Sequence, residues 1–152
     1  MSQPPKIEII HEDHHFRHTV LWVSRHNPLP AQIRELKRKL GAIRIVMLSG
    51  VVPNAEYVAN IARQYSAGYV VPVLPLSFIA RLVELSRKYG FIVLFAEMNE
   101  IIRTTDREEA EKALKENIDS RTLVEYSGGV YRVWEFTKFS KVVEVKIVTE
   151  EW

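Results

Sequence analysis

The chain has 152 residues, 47% hydrophobic and 26% charged, the balance of an ordinary globular domain and not of a disordered one. It contains no cysteine, which excludes disulfides, thiolate metal sites and cysteine nucleophiles. Lys and Arg number 21 against 19 Asp and Glu, a net charge of +2 that is too even to announce a nucleic-acid binder, and no apolar run approaches the ~20 residues of a membrane span.

Met1 to Ile10 has one lysine and two prolines and does not read as a signal peptide, so the expectation is a soluble, cytoplasmic protein. His11-Glu12-Asp13-His14-His15 matches the string H-E-x-x-H. That zinc motif needs a helix to bring its histidines to one face, and nothing around it has helical periodicity. It is expected to form an exposed turn, with no metal assigned; an adventitious site through His11, His14, His15 and His18 is the weaker alternative.

From Thr19 onward apolar runs alternate with amphipathic helices. Thr19–Ser24 is β-branched and aromatic and ends at Asn27-Pro28. Ala31–Leu40 has apolar residues at helical spacing and Gly41 as its stop. Ala42–Leu48 is the second strand, closed by Ser49-Gly50. Asn54 is placed to cap the next helix (Val58, Ile61, Ala62, Tyr65). Tyr69–Leu74 is the third strand, Ser77–Tyr89 a helix stopping at Gly90, and Phe91–Ala96 the fourth strand. Nearly continuous apolar strands belong to parallel sheets covered on both faces. The fold class expected is therefore α/β, a Rossmann-like three-layer sandwich with a mainly parallel sheet of four βα units over residues 1–104.

Residues 105–152 read differently. Thr105-Asp106-Arg107-Glu108 opens a polar helix to about Ile118. Thr122–Tyr126 and Val130–Phe136 flank Ser127-Gly128-Gly129 as an antiparallel β-hairpin extension. Lys141–Val148 is expected to be a further strand with Val143, Val145 and Ile147 on one face. With no linker in view, residues 1–152 are read as a single domain.

Phosphate loops of the G-x-G-x-x-G and G-x-x-x-x-G-K-[ST] kinds are absent, as is a G-x-S-x-G elbow, which removes the standard dinucleotide, P-loop and serine-hydrolase mechanisms. What remains is positional, because open parallel sheets bind ligands beyond the carboxyl ends of their strands. Those ends carry Ser24, Arg25, His26 and Asn27, then Ser49 and Gly50, then Ser77, then Glu97. Arg25 supplies a fixed fork for phosphate, histidine is the residue type that titrates near neutrality, and Ser77 falls at a helix N-terminus, where free N–H groups favour an anion. Each also has a plainer reading: Asn27 and Ser49 as turn residues, Ser77 as an N-cap, Glu97 as a salt-bridge partner of Arg25 or Arg103. The late aromatics Tyr126, Tyr131, Trp134, Phe136, Phe139 and Trp152 suit core or dimer packing, with a base-stacking surface as the alternative.

The string Leu21-Trp22-Val23-Ser24-Arg25-His26-Asn27-Pro28, followed by Gln32-Ile33 and Val71-Pro72-Val73-Leu74-Pro75-Leu76, resembles small archaeal and prophage proteins that are themselves similar to compact CRISPR-associated Rossmann-fold (CARF-like) proteins. The resemblance covers roughly residues 19–103. It implies a cytoplasmic homodimer binding a cyclic oligoadenylate at the carboxyl ends of its strands, and, in the ring-nuclease-like members, metal-independent phosphodiester cleavage without a cofactor. By that resemblance Ser24, Arg25, His26 and Asn27 fall at the loop after the first strand and Ser77 and Arg81 on the helix after the third, so that His26 and Ser24 would be catalytic and Arg25, Asn27, Ser77 and Arg81 would contact the ligand. Ser49, Gly50 and Glu97 join the ligand-binding candidates by their position at strand ends. Two other readings stand beside a nucleotide-binding protein. One is a non-catalytic regulator holding nucleic acid through the basic helix at residues 31–40 (Arg34, Lys37, Arg38, Lys39). The other is a structural dimerisation module.

Overall fold

The computed structural model describes residues 4–152. In chain order the elements are β1 (Lys6–Glu12), β2 (His18–Val23), α1 (Pro30–Leu40), β3 (Ile43–Ser49), α2 (Ala55–Gln64), β4 (Tyr69–Pro72), α3 (Leu76–Tyr89), β5 (Ile92–Thr104), α4 (Arg107–Glu116), β6 (Arg121–Tyr126) and β7 (Val130–Lys141). The strands follow the order β1-β3-β2-β4-β5-β7-β6. Neighbours among β3, β2, β4 and β5 run parallel, whereas β1 is antiparallel to β3 and β6 is antiparallel to β7.

The Rossmann-like sandwich on a mainly parallel sheet is thereby corrected: the sheet is mixed, and an antiparallel strand forms each edge. α2 and α3 pack on each other within one compact unit, while α1, the connection between β2 and β3, falls in the other. Three strands account for the difference. β1 reads Lys6-Ile7-Glu8-Ile9-Ile10-His11-Glu12, an alternating edge strand that runs on through residues expected to form a turn. β5 does not stop at Ala96 but continues through Glu97, Asn99 and Glu100 to Thr104, 13 residues in all from Ile92, because sheet pairing outweighs low intrinsic strand preference. The strand expected over Lys141–Val148 is absent beyond Lys141. Val142 donates its N–H to the Val93 carbonyl at 2.9 Å and packs with Val145 on the core, while Val143 and Ile147 stay exposed.

One compact unit comprises the chain up to Asn27, Leu40–Phe95 and Lys141–Trp152. Its core joins Leu21 and Val23 of β2, Val46 and Leu48 of β3 and Val70 of β4 to α2 (Val58, Ile61, Ala62) and α3 (Ile79, Leu82, Val83). Every residue from Val20 to Val23 is buried, as a strand flanked on two sides requires. Each such aliphatic side chain removes enough apolar surface from water to contribute about 1.5–3 kcal/mol. Asn54 caps α2 as expected, its side chain accepting from the Tyr57 N–H at 2.8 Å. α3 begins at Pro75 with no side-chain cap, and ends at Gly90 in the left-handed conformation, φ 79°.

The second unit comprises Pro28–Lys39 and Ala96–Ser140. α4 lays Ala110 and Ala113 on Val133 of β7, with Ile102, Leu123 and Tyr131 around them. The hairpin turn at Ser127-Gly128-Gly129 has φ of 85° and 71° at its two glycines, a pairing of positive values that side chains resist. Gln32 of α1 is buried and its Oε1 accepts from the Leu29 N–H at 2.7 Å, closing the helix's first turn.

Candidate functional site

β2 is the first of the parallel strands, and the chain places β3 on one side of it and β4 on the other. The loops leaving β2 and β4 therefore depart in opposite directions and leave a crevice at the carboxyl ends. A cavity of about 400 Å³ occupies that position. Val23 and Leu48 form its floor, Val51, Val73 and Pro75 its apolar walls, and Arg25, His26 and Gly50 its polar rim. The volume lies within the range typical of small-molecule sites.

The rim is fixed by local hydrogen bonds that the sequence makes available. Ser24 is buried and its Oγ accepts from the His26 N–H at 3.1 Å, while Trp22 donates its indole N–H to the His26 carbonyl at 3.1 Å. The backbone continues the strand pairing one step further, with the Ser24 N–H on Leu48 O (3.1 Å) and the Val73 N–H on Val23 O (2.8 Å). Residues 24–26 are thus pinned by their neighbours, and the side chains of Arg25 and His26 are left exposed. Among the described residues Arg25 has no carboxylate partner. Gly50 has φ 91°, and a Cβ there would stand 2.6 Å from the Pro4 carbonyl oxygen, so the turn closing β3 admits no side chain. α3 starts at the wall of the cavity with no side-chain cap; its Phe78 N–H donates to the Pro75 carbonyl at 3.0 Å, which leaves the Leu76 and Ser77 N–H groups to favour an anion.

Of the residues expected at a site, Ser24, Arg25, His26 and Gly50 come together here. Asn27 is exposed and lies outside the lining, as does Ser49, which ends β3 opposite Lys6. Ser77 is exposed in the first turn of α3 but is not its cap, which is Pro75. Arg81 is committed elsewhere: Glu56 accepts from it at 2.7 Å and Glu84 at 2.9 Å, and the Glu56 hydrogen bond raises the guanidinium pKa above its ordinary value. Glu97 belongs to the second unit, where it accepts from the Ser140 hydroxyl and faces Lys138 at 3.9 Å; its expected partners Arg25 and Arg103 do not reach it, and Arg103 pairs with Glu100. Val51, Val52, Val73 and Leu74 line the cavity without having been singled out. Their signal was position alone, at the ends of apolar runs.

The other motifs resolve locally. His11 and Glu12 sit in β1 and His15 has φ 53°, so the H-E-x-x-H spacing never lies on a helix; His11 Nε2 instead pairs with Asp13 Oδ1 at 2.9 Å. No cluster of three or more ligating side chains occurs among the described residues. On α1, Arg38 pairs with Glu35 at 2.7 Å and Arg34 with Asp119 at 3.5 Å, which spends much of that helix's positive charge. Phe136 packs on Phe139 at 4.8 Å, and Arg132 lies over the rings of Trp134 and Tyr126 at 4.3 and 5.0 Å. Trp152 is fully exposed. No described helix is long and apolar enough to cross a membrane.

No family model, curated protein or solved structure matches the chain.

Proposed function

We propose that the protein binds a phosphorylated small molecule, of the nucleotide class, in the cavity at the carboxyl ends of β2, β3 and β4. The observation that carries this reading is Arg25, an exposed guanidinium without a carboxylate, standing on a pinned loop at the rim of an apolar cavity of about 400 Å³. The apolar walls suit a planar base, and the rim suits its phosphate, which Arg25 meets with paired N–H donors. The uncapped first turn of α3 adds partial positive charge on the same side.

Binding is better supported than turnover. Ser24 Oγ accepts from the backbone of its own loop, a role that holds Arg25 and His26 in place and does not require a nucleophile. The test is to incubate the protein with mononucleotides and cyclic oligoadenylates, filter it and read the retained and released species by mass spectrometry. The expected result is retention of at least one nucleotide intact, weakened on the order of tenfold in Arg25→Ala, the scale of a lost hydrogen bond to a charged group. Retention by neither protein, or equal retention by both, overturns the reading. Appearance of linear products would instead make the protein a phosphodiesterase and return His26 to the reaction.

A further inference from the structure

We infer that a second cleft, at the amino ends of the same parallel strands, is an oxyanion site that takes a phosphate group. It lies within the first unit, has a volume of about 520 Å³, and is lined by Phe16, Arg17, His18, Arg44 and Tyr65 among others, with no carboxylate in the lining. Arg44 is its centre. The guanidinium lies over the Phe16 ring at 4.7 Å and near the Tyr65 ring at 5.7 Å, its Nε donates to Thr19 Oγ1 at 3.2 Å, and its Nη2 donates to the Tyr65 carbonyl at 2.8 Å. All of these partners are neutral. Two of the five N–H groups of an arginine are used, which leaves three on a fork already fixed in place.

No carboxylate pairs with Arg44 or Arg17 among the described residues. Arg17 is exposed, and its side chain has no partner among the described residues. His18 is exposed too, its ring meeting the edge of Tyr69 at 5.8 Å. Two acids are near: Asp13 accepts from the Ile43 N–H at 3.0 Å and pairs with His11, and Glu12 stands opposite Arg44 in the β1–β3 register without forming an ion pair with it among the described residues. A purely structural reading gives Arg44 the task of satisfying the last carbonyl of α2. One N–H suffices for that task, and it has no use for Arg17. An immobilised guanidinium beside a second free cation, neither of them paired with an acid, is the arrangement that recognises a phosphate oxyanion through charge-assisted, paired hydrogen bonds.

The phosphate has two possible sources, a small phosphorylated molecule or a polynucleotide backbone, and two probes separate them. Amide spectra would be recorded while titrating inorganic pyrophosphate and, separately, a single-stranded oligodeoxynucleotide without terminal phosphates. They would be recorded on the unaltered protein, Arg17→Ala, Arg44→Gln and Arg25→Ala. Arg17→Ala removes a side chain that holds nothing in the fold, so it answers even where Arg44→Gln disturbs the end of α2. The expected result is a set of shifts at residues 16–19, 44 and 65–68 that weakens on the order of tenfold in Arg17→Ala and survives in Arg25→Ala. A response to pyrophosphate identifies a small ligand; a response to the oligonucleotide alone identifies a polymer. Absence of those shifts with both probes, or shifts unchanged in Arg17→Ala, overturns the inference. Because the first cavity is read through Arg25, either site can fail without the other.

Discussion

In the unit that holds α4, β6 and β7, every arginine meets a carboxylate: Arg34 with Asp119, Arg38 with Glu35, Arg103 and Arg132 with Glu100, Arg107 with Glu111, Arg121 with Glu135. In the unit that holds β1 to β4, Arg81 pairs with Glu56 and Glu84, whereas Arg17, Arg25, Arg44, Arg63 and Arg87 meet no carboxylate among the described residues, and the first three of these border a cavity. The apolar interiors differ in the same sense. The first unit packs two helices on its strands, whereas the second packs Ala110 and Ala113 on Val133 and also buries Leu36 and Phe136. A unit with a large core can leave cations unpaired at its surface, since exposed ion pairs contribute at most about 1 kcal/mol each. An unpaired arginine that also borders a cavity thus marks where a ligand's charge would fit, whereas a paired one marks structure.

The comparison is broken most forcefully through the core. Leu82 is fully buried against α2 and the strands, and Leu82→Ala is expected to cost about 2–5 kcal/mol in chemical denaturation. A loss below 1 kcal/mol would mean that the first unit does not depend on its interior. Gly50→Ala combines positive φ with the approach to the Pro4 oxygen, and a loss of about 1–3 kcal/mol is expected by the same measurement, together with weaker nucleotide retention. Arg25→Ala should leave the melting temperature unchanged while lowering nucleotide affinity on the order of tenfold, about 1.4 kcal/mol.

The smallest effect belongs to the second unit. The hydrogen bond from Arg132 holds the Glu100 carboxyl below its ordinary value of 4.5, so its contribution is present above that pH and is lost as pH falls through the lower folded value. Stability should therefore decline slightly on acidification below pH 4.5, and Glu100→Gln should remove that part of the decline. A decline identical in Glu100→Gln would show the pair to be inert.

Much of the element order was readable because the responsible signals are short-range. Asn54 caps α2, Gly90 ends α3, and the paired glycines at 128 and 129 turn the hairpin. Sheet composition was not, since the direction of an edge strand depends on its neighbour: Lys6–Glu12 carries nothing that names β3 as an antiparallel partner. For the same reason Val143 and Val145 alternate like a strand yet have no strand to pair with. At the candidate site, Ser24, Arg25, His26 and Gly50 were readable from their place after apolar runs. Arg44 was not, because its importance lies in what surrounds it, the Phe16 ring and the Tyr65 carbonyl, and neither is near it in sequence. Arg81 and Glu97 are held by Glu56 and Ser140, partners too far away in sequence to be read from it.

The most direct test of the central claim, that an unpaired arginine bordering a cavity marks the ligand site, is amide shift mapping with ATP on the intact protein. The account predicts shifts at residues 23–26, 48–52 and 73–75 that are reduced in Arg25→Ala and unchanged in Arg38→Ala, whose arginine is already paired. Shifts confined to α1, or sensitive to Arg38 and not to Arg25, would contradict it.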